Sequence, residues 1–290
     1  GGLECGYILA KNGMKVTVLE REAQVGGCLQ TFRRGAALFD TGFHYVGALG
    51  EGESLHTLFS YFDLISLPWK KLDEDCFDEV VIGEDAFAFA NKHQRFYERM
   101  SARFPKEREG LKKYVDFLKQ VGDHIFDSFN LQNEGTFTNS LFARSAYEFL
   151  NETIKDPLLR KVLSGTSLKM ELNAPTLPLY TFAQINDSFI RSAWRLRGGG
   201  MQIADKLDGG IEAMGGEVKT RAIVTYIKEE DGKVVGVTIN DEDYLEADWV
   251  ISSTHPAYTV SLVGDSKKMR RIYRDRIANL DNTFGMFTAN

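Results

Sequence analysis

The sequence predicts an α/β fold with a helical insertion, on three observations. Its first 20 residues, GGLECGYILAKNGMKVTVLE, run from two glycines through a helical period into a short apolar strand that ends in an acid. Gly198, Gly199 and Gly200 lead into a second helical stretch, reaching about Met214, that Gly215 and Gly216 stop. The segment 218–254 then reads as consecutive strands. From about residue 92 to 196 the pattern is helical instead, so the α/β part is discontinuous.

In the opening stretch Leu3, Tyr7, Ala10 and Met14 recur at helical spacing. Gly6 and Ala10 are small, as a helix packed closely on a sheet requires. Gly13 tolerates the left-handed conformation that ends a helix. Val16, Thr17, Val18 and Leu19 follow without alternation, the pattern of a parallel strand buried on both faces. Then comes Glu20. A dinucleotide-binding motif runs strand, GxGxxG, helix, second strand and acid. Its glycines admit a pyrophosphate at the helix N-terminus, and its acid takes ribose hydroxyls. Gly2 would be the last glycine of that motif, with Glu20 18 residues beyond it. The first strand and two further glycines are then expected upstream of Gly1. A βα fragment with a surface glutamate is the other reading of the same residues.

Gly26 and Gly27 allow backbone N–H groups to face a phosphate, or make an ordinary turn. LFDTGFHYVG gathers Asp40, Gly42, His44 and Gly47 in a compact loop. PWKKL, CFDEVVI and AFAFAN, within 68–90, read as short strands of one small sheet. PKEREGLKKYVDFLKQVGDHIF reads as a helix started by Pro105, with Leu111, Tyr114, Val115, Leu118, Val121 and Ile125 on its apolar face. SLFARSAYEFL, DPLLRKVLS and LYTFAQINDSFIRSAWRL are further helical stretches. Their aromatic residues read first as core packing. Asp231 and Gly232 mark a hairpin turn. ADWVISS reads as a strand ending near Thr254, and Pro256 can begin the next helix. Ligands of open α/β sheets lie beyond the carboxyl ends of strands, which puts Ser252, Ser253 and Thr254 near a cofactor. DSKKMRRIYRDRIANL reads as a basic helix carrying Lys267, Lys268, Arg270, Arg271, Arg274 and Arg276. Such a face suits solvent or an anionic membrane surface. TFGMFTAN reads as a further strand entering the inserted domain.

Composition excludes several classes. The 290 residues are 43% hydrophobic and 26% charged, ordinary for a globular chain with a sizeable core. A net charge of -6 argues against general nucleic-acid binding. Three cysteines, Cys5, Cys28 and Cys76, form no CxxC, so no disulfide framework or zinc site is indicated and a reducing cytoplasm fits. No run is long and apolar enough to span a bilayer. The five histidines show no HxxxH spacing, and there is no GxSxG elbow, Walker loop or second GxGxxG. No metal ligation and no separate NAD(P) domain are expected.

Glu20-Arg21, Gly26-Gly27, Thr31 and Phe39-Asp40-Thr41-Gly42, in this order, resemble the start of the FAD-dependent phytoene desaturase and amine oxidase superfamily. Gly42-Phe43-His44-Tyr45-Val46-Gly47, with LPWKKLDEDCFDEVVI downstream, looks more like its retinol saturase branch. The resemblance covers residues 1–90 and 195–265 and is diffuse between them. It implies a Rossmann-like FAD-binding domain of the GR2 type, discontinuous over 1–66 and 196–265. A substrate or cap domain of mixed sheet and helices then takes 67–195 and 266–290. It implies FAD contacts at Gly1, Gly2, Glu20, Arg21, Gly26, Gly27, Thr31, Gly42, His44, Gly199, Gly200, Ser253 and Thr254, and through the backbone of Val224. Members continue to a further glycine-rich motif not present here, so the resemblance expects truncation at both ends.

The implied chemistry is addition or removal of hydrogen across a carbon–carbon bond of an apolar, polyene-like substrate. Hydride moves to or from N5 of the flavin, and the protein binds, orients and excludes water. His44 and Tyr45 are candidate proton donors. Quinone, oxygen and reduced nicotinamide stay open as electron partners, and the superfamily's peripheral membrane habit keeps that contact open. Two other readings accompany this one. A flavin amine oxidase needs an aromatic cage beside the flavin. A lipid escort of the Rab GDP-dissociation-inhibitor type shares the fold without using flavin. Glu20 and the Gly26-Gly27 pair favour a cofactor-binding protein over the escort.

Overall fold

The structure is a computed structural model that describes residues 1–126, 136–171, 173–264, 266 and 268–281. In chain order it forms α1 (Gly2–Lys11), β1 (Thr17–Leu19), β2 (Thr31–Arg34), β3 (Ala37–Asp40), β4 (Val46–Gly47), α2 (Ser54–Tyr61), β5 (Trp69–Lys71), β6 (Asp78–Ile82) and β7 (Asp85–Phe89). Helices α3 (His93–Arg103), α4 (Arg108–Asp123), α5 (Thr136–Phe142), α6 (Ala146–Thr153), α7 (Pro157–Leu163) and α8 (Leu179–Arg191) follow. The chain continues with β8 (Ala193–Leu196), α9 (Met201–Ala213), β9 (Glu217–Lys219), β10 (Val224–Glu230), β11 (Lys233–Ile239), β12 (Asp243–Glu246), α10 (Pro256–Leu262) and α11 (Arg271–Ala278).

Two compact units result. One takes Gly1–Phe43 and the described chain from Gly198 onward; the other is His44–Arg197. This division differs from the expected 66/67 and 195/196 boundaries. The reason is pairing: β4 is antiparallel to β8, and β5 pairs the other side of β8. Residues 44–66 therefore join the helical unit. At the other end Arg274 donates to the carbonyls of Val260 (3.2 Å) and Val263 (2.8 Å), which ties α11 to α10 in the first unit.

In the first unit β1 runs parallel to β9, with Val18 opposite Val218. Gly6 packs as its size suggested: a Cβ there would lie 2.7 Å from Val18 Cγ2. Residues 17–19 are half-buried rather than buried on both faces, because β9 is the only strand paired with them among the described residues. The meander β10–β11–β12 is antiparallel. Asp231 (φ +50°) and Gly232 (φ +77°) turn it between the paired Glu230 and Lys233, the left-handed geometry that twisted hairpins need. Residues 248–253 form no strand. A strand exists through its ladder, and no described strand pairs here; Trp249 is 82% exposed. The expected basic helix is short, beginning only at Arg271. Lys267 and the expected strand at 283–290 lie outside the described residues.

The second unit holds the larger core. α4 buries Leu111, Tyr114, Val115, Leu118 and Val121, the face its periodicity gave. Phe89, Phe96, Tyr114 and Phe182 are at most 2% exposed and meet at centroid distances of 5.3 to 6.4 Å. These aromatics are core. Three expectations change. The strands of 68–90 belong to two sheets: β5 joins β8, while β6 and β7 form a hairpin. SLFARSAYEFL is broken between α5 and α6, where Ser145 caps α6 by accepting the Tyr147 N–H. The helix through 179–196 ends at Arg191, because extended Ser192 (φ −164°) turns the chain into β8.

Candidate cofactor site

In the first unit most of the predicted residues fall into two local groups, one at the N-terminus of α1 and one around the β2–β3 hairpin and the start of α9. No side chain caps α1, so the N–H groups of its first turn lack an intrahelical partner. Loop 252–254 lies over this end: a Cβ on Gly2 would stand 3.0 Å from Ser253 Oγ. Thr254 and Ser252 bond through their hydroxyls at 2.9 Å, and both bond Thr259. Glu20 follows β1, and its N–H donates to the Lys219 carbonyl at 2.8 Å. Its Oε1 accepts the Glu22 N–H at 2.9 Å, leaving Oε2 without a donor among the described residues. Arg21 is exposed and pairs with Glu22 at 2.9 Å.

Gly26 (φ +104°) turns the chain into a short 3-10 helix, Gly27–Leu29, and a Cβ on Gly26 would press within 3.0 Å of Ala204 on α9. Gly199 (φ +88°) sits on the β2–β3 hairpin, its missing Cβ 2.7 Å from Thr31 Cγ2 and 3.0 Å from Asp40 Oδ1. The next N–H, of Gly200, donates to Asp40 Oδ1 at 2.7 Å. Gly42 packs on Cys28, with its missing Cβ 3.4 Å away. Val224 begins β10, and its carbonyl accepts the Tyr258 hydroxyl at 3.3 Å. Asp40 is the residue that reading by cofactor contacts left out. Its signal was the Phe39-Asp40-Thr41-Gly42 motif itself.

His44 and Tyr45 belong to the second unit. His44 is exposed. Tyr45 is half-buried and donates to Asp78 Oδ2 at 2.5 Å. Lys169 donates to the Tyr45 hydroxyl and to Asp78 Oδ2, the latter at 2.9 Å. Burial first, then the bond to Asp78 and its charge, push the Tyr45 phenol well above its ordinary value. Asp78 moves the other way. Desolvation raises it, but the bonds from Tyr45 and Lys169 and the lysine charge outweigh that and hold it low. Nothing in the sequence signalled this cluster, because its members are 33 and 91 residues apart. A cleft of about 320 Å³, lined by His93, Tyr97, Lys112 and Lys119 among others, contains none of the predicted residues.

The cradle fits a dinucleotide: an uncapped helix N-terminus for phosphate, a spare carboxylate oxygen for ribose, and glycine turns that leave room for backbone contact. The family described as flavin containing amine oxidoreductase matches residues 1–282. The chain belongs to that family. Flavin is its cofactor, and FAD is the form these residues fit. The chain is 30% identical over 279 residues to all-trans-retinol 13,14-reductase of Danio rerio, covering 87% of this chain and 45% of that protein. It is 22% identical over 272 residues to prolycopene isomerase 2, chloroplastic, of an Oncidium hybrid cultivar, covering 87% and 46%. The chain thus spans less than half the length of these relatives. A solved oxidoreductase from Methanosarcina mazei superposes with a TM-score of 0.67 at 21% identity, covering 96% of this chain and 63% of that one, which establishes a shared fold.

Proposed function

We propose that the protein is a FAD-dependent oxidoreductase that adds or removes hydrogen across a carbon–carbon bond of an apolar polyene. The likeness over 87% of the chain to a protein named as a retinol reductase supports the substrate class. The observation that carries the cofactor reading is the seating of Gly199 and Gly200 on Thr31 and Asp40, beside the Gly26 turn.

In this reading Gly1, Gly2 and the first turn of α1 hold the pyrophosphate, with Ser253 and Thr254 beside it. Glu20 Oε2 accepts a ribose hydroxyl, and Arg21 flanks it. The backbone of Val224 takes the adenine, while Gly26, Gly27, Thr31, Gly42, Gly199 and Gly200 leave room for the cofactor's length. The bound flavin supplies hydride transfer at N5. His44 and Tyr45 are the candidate proton donors, and the Tyr45 hydroxyl donates to Asp78 at 2.5 Å. The first unit is the cofactor domain and the second the substrate domain.

Anaerobic mixing of the holoprotein with matched ligands tests this reading. A long polyene is expected to change the flavin absorbance, and primary amines are not. Bleaching by amines alone would replace this reading with an amine oxidase.

Contact with a membrane surface is supported by α11, where Ile272 is 78% exposed and the Arg271 side chain is 94% exposed. Sedimentation with anionic but not neutral vesicles is the expected result. No binding to either removes this contact.

A further inference from the structure

The Lys169 cluster is assembled by sheet geometry. Asp78, Val80 and Ile82 share one face of β6 by the two-residue period of a strand. Gly165 lets the 3-10 helix Gly165–Lys169 lie directly on that face, since a Cβ there would stand 2.5 Å from Val80 Cγ2. The far end of this helix brings Lys169 to Asp78 and Tyr45. The ammonium stands 4.2 Å from the Tyr45 ring centroid and 5.1 Å from that of Phe189. Its neighbour Leu168 is 66% exposed. A polar tip is thus set among apolar walls.

The hydrogen-bond inventory is uneven. An ammonium has three N–H donors. Two are used, on Tyr45 Oη and Asp78 Oδ2, and the third has no acceptor among the described residues. Tyr45 both accepts and donates within the cluster. Among the described residues Asp78 Oδ1 accepts only the Glu79 N–H, at 3.0 Å, and keeps a lone pair. One donor and one acceptor are left, and the ammonium and carboxylate cancel in charge.

We propose that Lys169 and Asp78 form a subsite for a hydroxyl at the end of an apolar ligand, and that they reject a carboxylate there. The proposal rests on the apolar-substrate reading above. A hydroxyl accepts from Lys169 and donates to Asp78 Oδ1, satisfying both. A carboxylate can accept but not donate, and it faces the Asp78 charge at close range. Tyr45 acts as a positioning residue that holds both partners.

The test is equilibrium binding, followed by tryptophan fluorescence, of a polyene alcohol, acid and hydrocarbon of one chain length. It needs no turnover. Wild type is expected to bind the alcohol about tenfold more tightly than the acid, the size of one hydrogen bond to a charged group. Asp78→Asn leaves the ammonium uncompensated and is expected to reverse the preference. Lys169→Met leaves the Asp78 charge uncompensated and is expected to widen the preference for the alcohol over the acid. Thermal melts of each variant confirm folding. An alcohol-to-acid ratio unchanged in both folded variants overturns the proposal and leaves an ion pair that ties the 3-10 helix to β6. Equal binding of alcohol and hydrocarbon by wild type overturns it too, while leaving the apolar-substrate reading intact. Failure of all three ligands to bind overturns both.

Discussion

Asp40 Oδ1 accepts the backbone N–H of Gly200 at 2.7 Å, across 160 residues of sequence. This bond joins the hairpin that follows the first glycine turn to the segment where the chain re-enters the α/β unit. It fixes the left-handed Gly199 against Thr31. Asp40→Ala removes a charged acceptor from a backbone donor, at a cost of about 1–3 kcal/mol. A lower urea midpoint and a lower flavin-to-protein ratio are expected together. Unchanged flavin content in the folded variant would detach this bond from the cofactor site.

Glu20 is expected to act on the cofactor and not on the fold. Among the described residues its carboxylate has one donor, the neighbouring Glu22 N–H. Glu20→Ala should weaken FAD binding by about tenfold or more, as the loss of hydrogen bonds to a charged group implies. Flavin fluorescence titration measures this, and thermal melting of the apoprotein should shift little.

Asp187 carries a purely structural prediction. It is 1% exposed and accepts from Arg191 at 2.5 Å, with His93 Nε2 2.7 Å from its other oxygen. Asp187→Ala takes its most buried carboxylate from half-buried Arg191 and leaves it Asp123, at a cost of about 1–3 kcal/mol. Denaturant unfolding should show that loss. A change near zero would mean that Arg191 is carried by Asp123, its second partner at 2.6 Å.

The Tyr45 and Asp78 pair predicts opposite pH limbs. Asp78 is held low, so its stabilisation is complete above the ordinary carboxylate value of about 4 and is lost as pH falls through its lower folded value. Tyr45 is pushed up, so its contribution is complete below about pH 10 and is lost as pH rises towards its folded value. Tyr45→Phe should flatten the alkaline decline in urea midpoint, and Asp78→Asn the acid one. Part of the alkaline decline should survive, because burial also raises Tyr114. Identical limbs in wild type and variants would contradict the pairing.

Local punctuation was legible in the sequence where the physics is local. Gly13 and Gly215 both stand at positive φ just past helix ends, and Asp231-Gly232 formed the two-residue turn. α4 was readable because its apolar stripe alone decides which face is buried. Tertiary pairing was not readable. Ala193–Leu196 continues a helical pattern, yet becomes the central strand of its sheet because β4 and β5 flank it. Residues 248–253 have strand composition but no described ladder partner. The glycine cradle was half legible: Gly26 and Gly199 are visible as glycines, whereas the Asp40 bond that relates them to one hairpin is long-range. Lys169 carried no signal, since its role depends on the missing Cβ of Gly165.

The most direct measurement is the visible absorption spectrum of the purified protein, with the flavin identified after denaturation. Flavin bands near one equivalent, assigned as FAD, are predicted. A colourless protein that also fails to take up added FAD would contradict the account and favour a lipid-escort reading of the same fold.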